Sequence, residues 1–130
     1  MDFEKLQECI RRRFANSSRS REALFRVLSE AGESCLNVEE IRERMLATYP
    51  REVSANTIYR HLEFLQECGL VRGVQAGASR VFCLRDGSEC YAVCSRCGTA
   101  VKMAENCSGC LDRIPDAELI VIYRRCDGCL

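Results

Sequence analysis

Ser54-Ala55-Asn56-Thr57-Ile58-Tyr59-Arg60-His61-Leu62-Glu63-Phe64-Leu65 is the stretch whose pattern decides how the first half of this chain folds. Ile58, Leu62 and Leu65 recur at i, i+4 and i+7, the spacing of a buried helical seam. Ser54 can cap the N-terminus of that helix and Gly69 can end it. At about 100° per residue, Asn56, Tyr59, Arg60 and Glu63 then share the opposite face, with Ala55 at its edge. The helix therefore offers hydrogen-bonding groups and one phenol to whatever lies outside. His61 borders the seam, which points to packing rather than to metal ligation.

Two shorter helices precede it. Residues 20–31 place Ala23, Leu24, Val27, Leu28 and Ala31 on one stripe before Gly32. Asn37, with Glu40 three residues on, has the form of a capping box for a helix that turns Val38, Ile41, Met45 and Leu46 inward and stops before Pro50. Phe3, Leu6, Ile10 and Phe14 favour a further helix at the start of the chain. Downstream, Leu70 to Val74 and Ser79 to Leu84 are β-rich runs around the small residues Gln75-Ala76-Gly77-Ala78, a hairpin pattern. Three helices followed by a hairpin is the order of a winged helix-turn-helix, whose third helix enters the DNA major groove. Residues 9–28 carry six arginines (Arg11, Arg12, Arg13, Arg19, Arg21, Arg26) against a single acid, Glu22, a local basic footprint suited to a phosphate backbone. Ser54, Asn56, Thr57, Tyr59, Arg60 and Arg19 are the candidate DNA contacts, since asparagine can pair with an adenine edge and arginine with guanine or phosphate.

The whole chain, 130 residues, balances nineteen basic against nineteen acidic side chains and leaves room for one ordinary domain or two very small ones. No run approaches the roughly 18 apolar residues of a membrane span, and the start has no signal-peptide character, so a cytoplasmic protein without a membrane partner is expected. Eleven cysteines is the outlying number. An odd count without an export signal favours thiolate chemistry over a disulfide framework. Cys9 and Cys68 read as small buried hydrophobes, whereas eight of the eleven follow position 82, and the character of the chain changes near Arg85-Asp86-Gly87. The expected division is 1–84 and 85–130. Cys94-x-x-Cys97 and Cys126-x-x-Cys129 sit on turns at strand ends, and two such knuckles complete a tetrahedral four-sulfur zinc shell. A third pair, Cys107-x-x-Cys110, leaves open on spacing alone which two pairs share the metal.

In this order, Ser18-Arg19-Ser20-Arg21-Glu22-Ala23-Leu24, Val38-Glu39-Glu40-Ile41, Ser54 to Leu62, Cys68-Gly69-Leu70-Val71, Cys94-x-x-Cys97-Gly98 and Tyr123-x-x-Cys126-x-x-Cys129 resemble the motifs of ferric uptake regulator (Fur) family proteins. The resemblance implies an α+β protein: an N-terminal winged helix-turn-helix DNA-binding domain over 1–84 and a small C-terminal α/β dimerisation domain, containing zinc, over 85–130. It implies a homodimeric transcription regulator, by family default a repressor, on double-stranded DNA carrying an AT-rich palindrome. It assigns base contact to Tyr59, base or phosphate contact to Arg60, and structural zinc to Cys94, Cys97, Cys126 and Cys129.

The departures from the family pattern are informative. The usual histidine-rich stretch before the first CxxC is here Ser88-Glu89-Cys90-Tyr91, and His61 is the single histidine. Aligned on the motifs, Cys35 stands at a family ligand histidine and Cys83 at a ligand glutamate, while Cys90 lies in the former histidine stretch. A regulatory site of Cys35, Cys83 and Cys90, with Glu89, is therefore expected between the lobes, and a ligand there would fix the angle between them. Cys107 and Cys110 could form a second grouping with Cys90. Thiolates favour a soft metal, an iron–sulfur cluster or heme over bare ferrous iron, and redox sensing is open to the same residues. The chain is not expected to be an enzyme; the alternatives are a thiol oxidoreductase or a zinc-stabilised interaction module.

Overall fold

The computed structural model of the chain describes residues 3–13, 18–85, 90–103 and 119–130. Glu89, Cys107 and Cys110, named above as sensory candidates, lie outside the described residues, as does Phe14. Four helices come first: α1 (Phe3–Arg12), α2 (Arg19–Glu30), α3 (Val38–Thr48) and α4 (Ala55–Glu67). The strands follow: β1 (Val71–Ala76), β2 (Ser79–Leu84), β3 (Cys90–Cys94), β4 (Ala100–Lys102) and β5 (Ile120–Arg124), with a short 3-10 turn over Asp127–Cys129. No helix among the described residues is long and apolar enough to cross a membrane.

Local chemistry accounts for the helix boundaries. The Ser18 hydroxyl accepts from the Arg21 amide and opens α2. Asn37 accepts from the Glu40 amide while the Glu40 carboxylate accepts from the Asn37 amide, the reciprocal bonding of a capping box. Ser54 accepts from the Thr57 amide to open α4, and Gly69 leaves that helix at φ +75°, a conformation costly for a residue with a Cβ. Ile58, Leu62 and Leu65 are all buried. Two expectations for the helical lobe need correction. Leu46 is 54% exposed rather than inward, because the buried side of α3 is already filled by Val38, Ile41 and Met45, while Phe25, outside the expected stripe of α2, is buried.

β1 and β2 form an antiparallel hairpin closed by Gly77 and Ala78, with Ala76 opposite Ser79. β3 is the centre of a second sheet of order β4-β3-β5, antiparallel to β4 and parallel to β5. Two apolar cores lie on either side of the hairpin, and the two-residue alternation of a strand sorts side chains between them. Phe82 joins Leu24, Leu28, Ile41, Ile58 and Leu62 in the helical core. Its neighbours Val81 and Cys83 point the other way, into a core shared with Cys35, Val74, Ala76, Tyr91, Val93 and Ala100. Residues 33–36 stitch the two sheets together. The Leu36 and Phe82 backbones exchange hydrogen bonds of 2.9 and 2.8 Å, and the Cys35 amide donates to the Ala100 carbonyl at 3.0 Å. The second core thus draws residues from both sides of position 85.

Candidate metal centre and nucleic-acid interface

The sequence from Cys94 to Ala100 turns sharply because Gly98 adopts φ +78°, so the chain leaves β3 and returns as β4 with both thiols of Cys94-x-x-Cys97 on one side. β5 runs parallel to β3 and delivers Cys126 and Cys129 to the same end. The sulfurs of Cys94, Cys97, Cys126 and Cys129 lie within 4.8 Å of one another. Cys97 Sγ and Cys126 Sγ are 3.7 Å apart. A tetrahedron with zinc–sulfur bonds of about 2.3 Å has edges of about 3.8 Å, so the donor set has both the softness and the size for zinc. Among the described residues this is the single cluster of three or more such ligands.

Backbone geometry prepares the sulfurs for charge. The amides of Cys97 and Cys126 donate to Cys94 Sγ at 3.4 and 3.3 Å. With the Arg96 amide, they hold the Cys94 thiol at about 5. Cys97 is lowered chiefly by the Thr99 hydroxyl, 3.1 Å from its sulfur. Cys129 is pushed up to about 12, first by the Cys126 sulfur beside it and then by burial. Four thiolates this close repel one another, and a divalent cation bound by them would relieve the repulsion.

The proposed sensory cysteines separate into two places. Cys35 and Cys83 are buried thiols outside any disulfide and members of one apolar cluster. The Cys83 thiol beside it and burial both raise Cys35, while burial and then Cys83 raise Tyr91. Lys102, also buried, opposes the rise at Cys35. Cys90 does not join them. Tyr91 and Val93 face the shared core, so the alternation of β3 turns Cys90 to the other side, where its sulfur lies 3.6 Å from Met103 Sδ. Nor are Cys9 and Cys68 packed as free thiols: they are joined as a disulfide, 59 positions apart in sequence. Sequence spacing carries no sign of so distant a pairing.

On α4, Asn56, Tyr59, Arg60 and Glu63 are exposed and Thr57 is half-buried, with Ser54 exposed at the cap. Arg19 is exposed at the start of α2. The basic stripe upstream is only partly a free surface. Arg13 donates to the Glu67 carboxylate at 2.8 Å, and Arg21 lies over the Phe64 ring at 4.1 Å. His61 is half-buried and shares a 2.7 Å hydrogen bond with the Ser20 hydroxyl. Burial, then Arg21 and Arg60, lower it to about 4.

Residues 15–109 match the family model described as the ferric uptake regulator family. The chain belongs to the ferric uptake regulator family. No curated relative matches this Fur-family chain in sequence. Its fold is similar to that of the Helicobacter pylori ferric uptake regulator, described as having three functional metal binding sites (22% identity, TM-score 0.73, 98% of this chain and 90% of that one). It is similar also to the Pseudomonas aeruginosa ferric uptake regulator with manganese (18%, 0.69, 91% and 95%) and to the Campylobacter jejuni peroxide stress regulator (19%, 0.62, 82% and 99%).

Proposed function

We propose that this chain is a DNA-binding transcription regulator that acts as a two-fold homodimer on an AT-rich palindrome and represses when its signal site is occupied. The observation that carries the reading is α4: a helix whose inner side is fully committed to the core and whose outer side exposes Asn56, Tyr59 and Arg60 together. In this reading 1–84 is the winged DNA-binding unit, with β1 and β2 as the wing, and 85–130 the dimerising unit. Ser54, Thr57 and Arg19 hold phosphates while Tyr59, Arg60 and Asn56 reach base edges, and two copies of α4 supply the half-site symmetry that a single helix lacks. Ile120 and Ile122, half-buried along β5 and turned away from the core that Val121 packs against, supply apolar surface for a second copy. Cys94, Cys97, Cys126 and Cys129 hold a structural zinc, which would tie the ends of β3 and β5 and so maintain the second sheet.

The signal enters through Cys35 and Cys83. Cys35 is bonded through its amide to β4, and its neighbour Leu36 is bonded to β2, so a group bound by these two sulfurs would alter how the two sheets meet. A coupling of about 1–3 kcal/mol is sufficient for regulation. Burial of both sulfurs, with the raised proton affinity of Cys35 beside Cys83, argues against rapid reaction with peroxide, which requires exposed thiolate, and favours a soft metal that displaces a proton. Selection of duplexes from a random library, followed by titration with the zinc-loaded protein, tests the reading. Tyr59→Ala and Arg60→Ala should each weaken the selected duplex by tenfold or more, about 1–3 kcal/mol, with unchanged thermal stability. Failure to enrich any duplex, or unchanged binding by both variants, would overturn it.

A further inference from the structure

The Cys9–Cys68 disulfide joins the middle of α1 to the residue that ends α4. Both cysteines are half-buried, and they lie at the edge of an open cleft of about 400 Å³ lined also by Lys5, Glu8, Arg12 and Glu67. That volume admits a small molecule and the sulfurs are within its reach. The helix they tether is the least embedded of the four. α1 buries two side chains, Leu6 and Ile10, where α2 buries four and α3 and α4 three each. At ten residues it is shorter than a helix that persists alone in water. Its N-terminal end rests on α2, with the Phe3 and Phe25 rings 5.4 Å apart. Its C-terminal end is held to α4 by the disulfide and by Arg13, which reaches the Glu67 carboxylate and carbonyl.

We propose that Cys9 and Cys68 form a reversible thiol–disulfide switch, opened and closed by a low-molecular-weight thiol and its disulfide, that sets whether the C-terminal half of α1 stays docked on the end of α4. In opening, a small thiolate attacks one of the two protein sulfurs, the Cys9–Cys68 bond breaks, and a mixed disulfide forms with release of the other cysteine as thiolate, which takes up a proton. A second small thiolate attacks the mixed disulfide, so that two small thiols become one small disulfide and the protein gains two hydrogens. Closure is the reverse. Arg11 is exposed on the same helix and Arg12 is paired with Glu8 there, so where α4 binds DNA, a point that rests on the function proposed above, opening also lets this charged end of α1 move away from it.

The test uses full-length, zinc-loaded protein equilibrated in glutathione buffers of graded oxidation, with differential alkylation and peptide mapping to follow each cysteine, and hydrogen exchange to follow the backbone. Cys9 and Cys68 should convert together, with a gain of two hydrogens on reduction, while exchange of the α1 amides quickens by roughly tenfold or more. Cys9→Ser and Cys68→Ser should each hold α1 in the fast-exchanging state whatever the buffer. If the two cysteines stay reduced in oxidised glutathione, or stay bonded in excess reduced glutathione, the switch is disproved. Identical α1 exchange in both forms would equally overturn it. None of these readouts requires DNA, so they stand or fall separately from the DNA-binding reading.

Discussion

Lowering the pH should destabilise this protein through a single imidazole. Unfolded, His61 takes up its proton near the ordinary value of 6.5; folded, burial and the neighbouring Arg21 and Arg60 guanidiniums hold it at about 4. Between those values the unfolded chain binds more protons than the folded one, so stability is fully present above pH 6.5, falls as the pH drops toward 4, and levels off below. A separation of this size in a dry site corresponds to about 3 kcal/mol. Water reaches the exposed edge of the half-buried ring, which reduces the expected loss to roughly 1–2 kcal/mol. Because the protein has one histidine, the imidazole C–H signals in proton NMR belong to one ring, and their titration reads the folded value directly. Urea denaturation of the wild type and of His61→Gln at pH 7 and pH 4.5 reads its consequence. Glutamine can keep a hydrogen bond to Ser20 without titrating, and carboxylates titrate in both proteins and cancel in the difference. The wild type should lose the extra 1–2 kcal/mol. An imidazole midpoint at or above 6.5, or parallel losses in the two proteins, would refute the argument that burial beside two cations controls this ring.

The Cys9–Cys68 bond closes a loop with a sequence separation of 59, and loop-closure entropy alone gives it about 4 kcal/mol of stabilisation through the unfolded state. Guanidinium melts of the wild type and of Cys9→Ala/Cys68→Ala, both without reductant, should show a lower midpoint in the double variant. Cys126→Ser removes the sulfur 3.7 Å from Cys97, one of the four in the cluster. Zinc content by colorimetric assay should fall to near zero, with loss of ordered β3, β4 and β5 while the far-ultraviolet signal of α2, α3 and α4 persists. Zinc retained at the wild-type level would contradict the four-sulfur site.

The helical half of the fold was legible because its signals are local. Asn37 and Glu40, Ser54 and Thr57, and the seam of Ile58, Leu62 and Leu65 all act within a few residues of one another. Leu46 misled because hydrophobicity suggests burial only where a partner face remains, and α3 has one such face. The two CxxC pairs were legible as a metal centre from their spacing, though their association depends on β5 pairing parallel to β3, a long-range fact. The place of Cys90 in the chain suggests a grouping with Cys35 and Cys83, yet Cys90 and Tyr91 are neighbours in a strand and face opposite ways, and it is Tyr91 that joins those two. Nothing local joins Cys9 and Cys68, so the sequence suggests packing where the structure has a bond. The arginines counted as one basic stripe are divided by tertiary contacts: Arg13 and Arg21 are engaged with Glu67 and Phe64, while Arg19 stays exposed.

β2 carries three consecutive buried residues, Val81, Phe82 and Cys83, and serves as a party wall between two rooms. Cutting the gene after Leu84 would therefore not yield a tidy, self-contained fragment. A chain ending at Leu84 would present Val74, Ala76, Val81 and the thiols of Cys35 and Cys83 bare to water on one continuous side. Such a fragment is set to aggregate and to cross-link in air. The lobe that follows thus serves as the lid of the first lobe's outer sheet, and the two halves of this regulator are best handled, engineered and assayed as one piece.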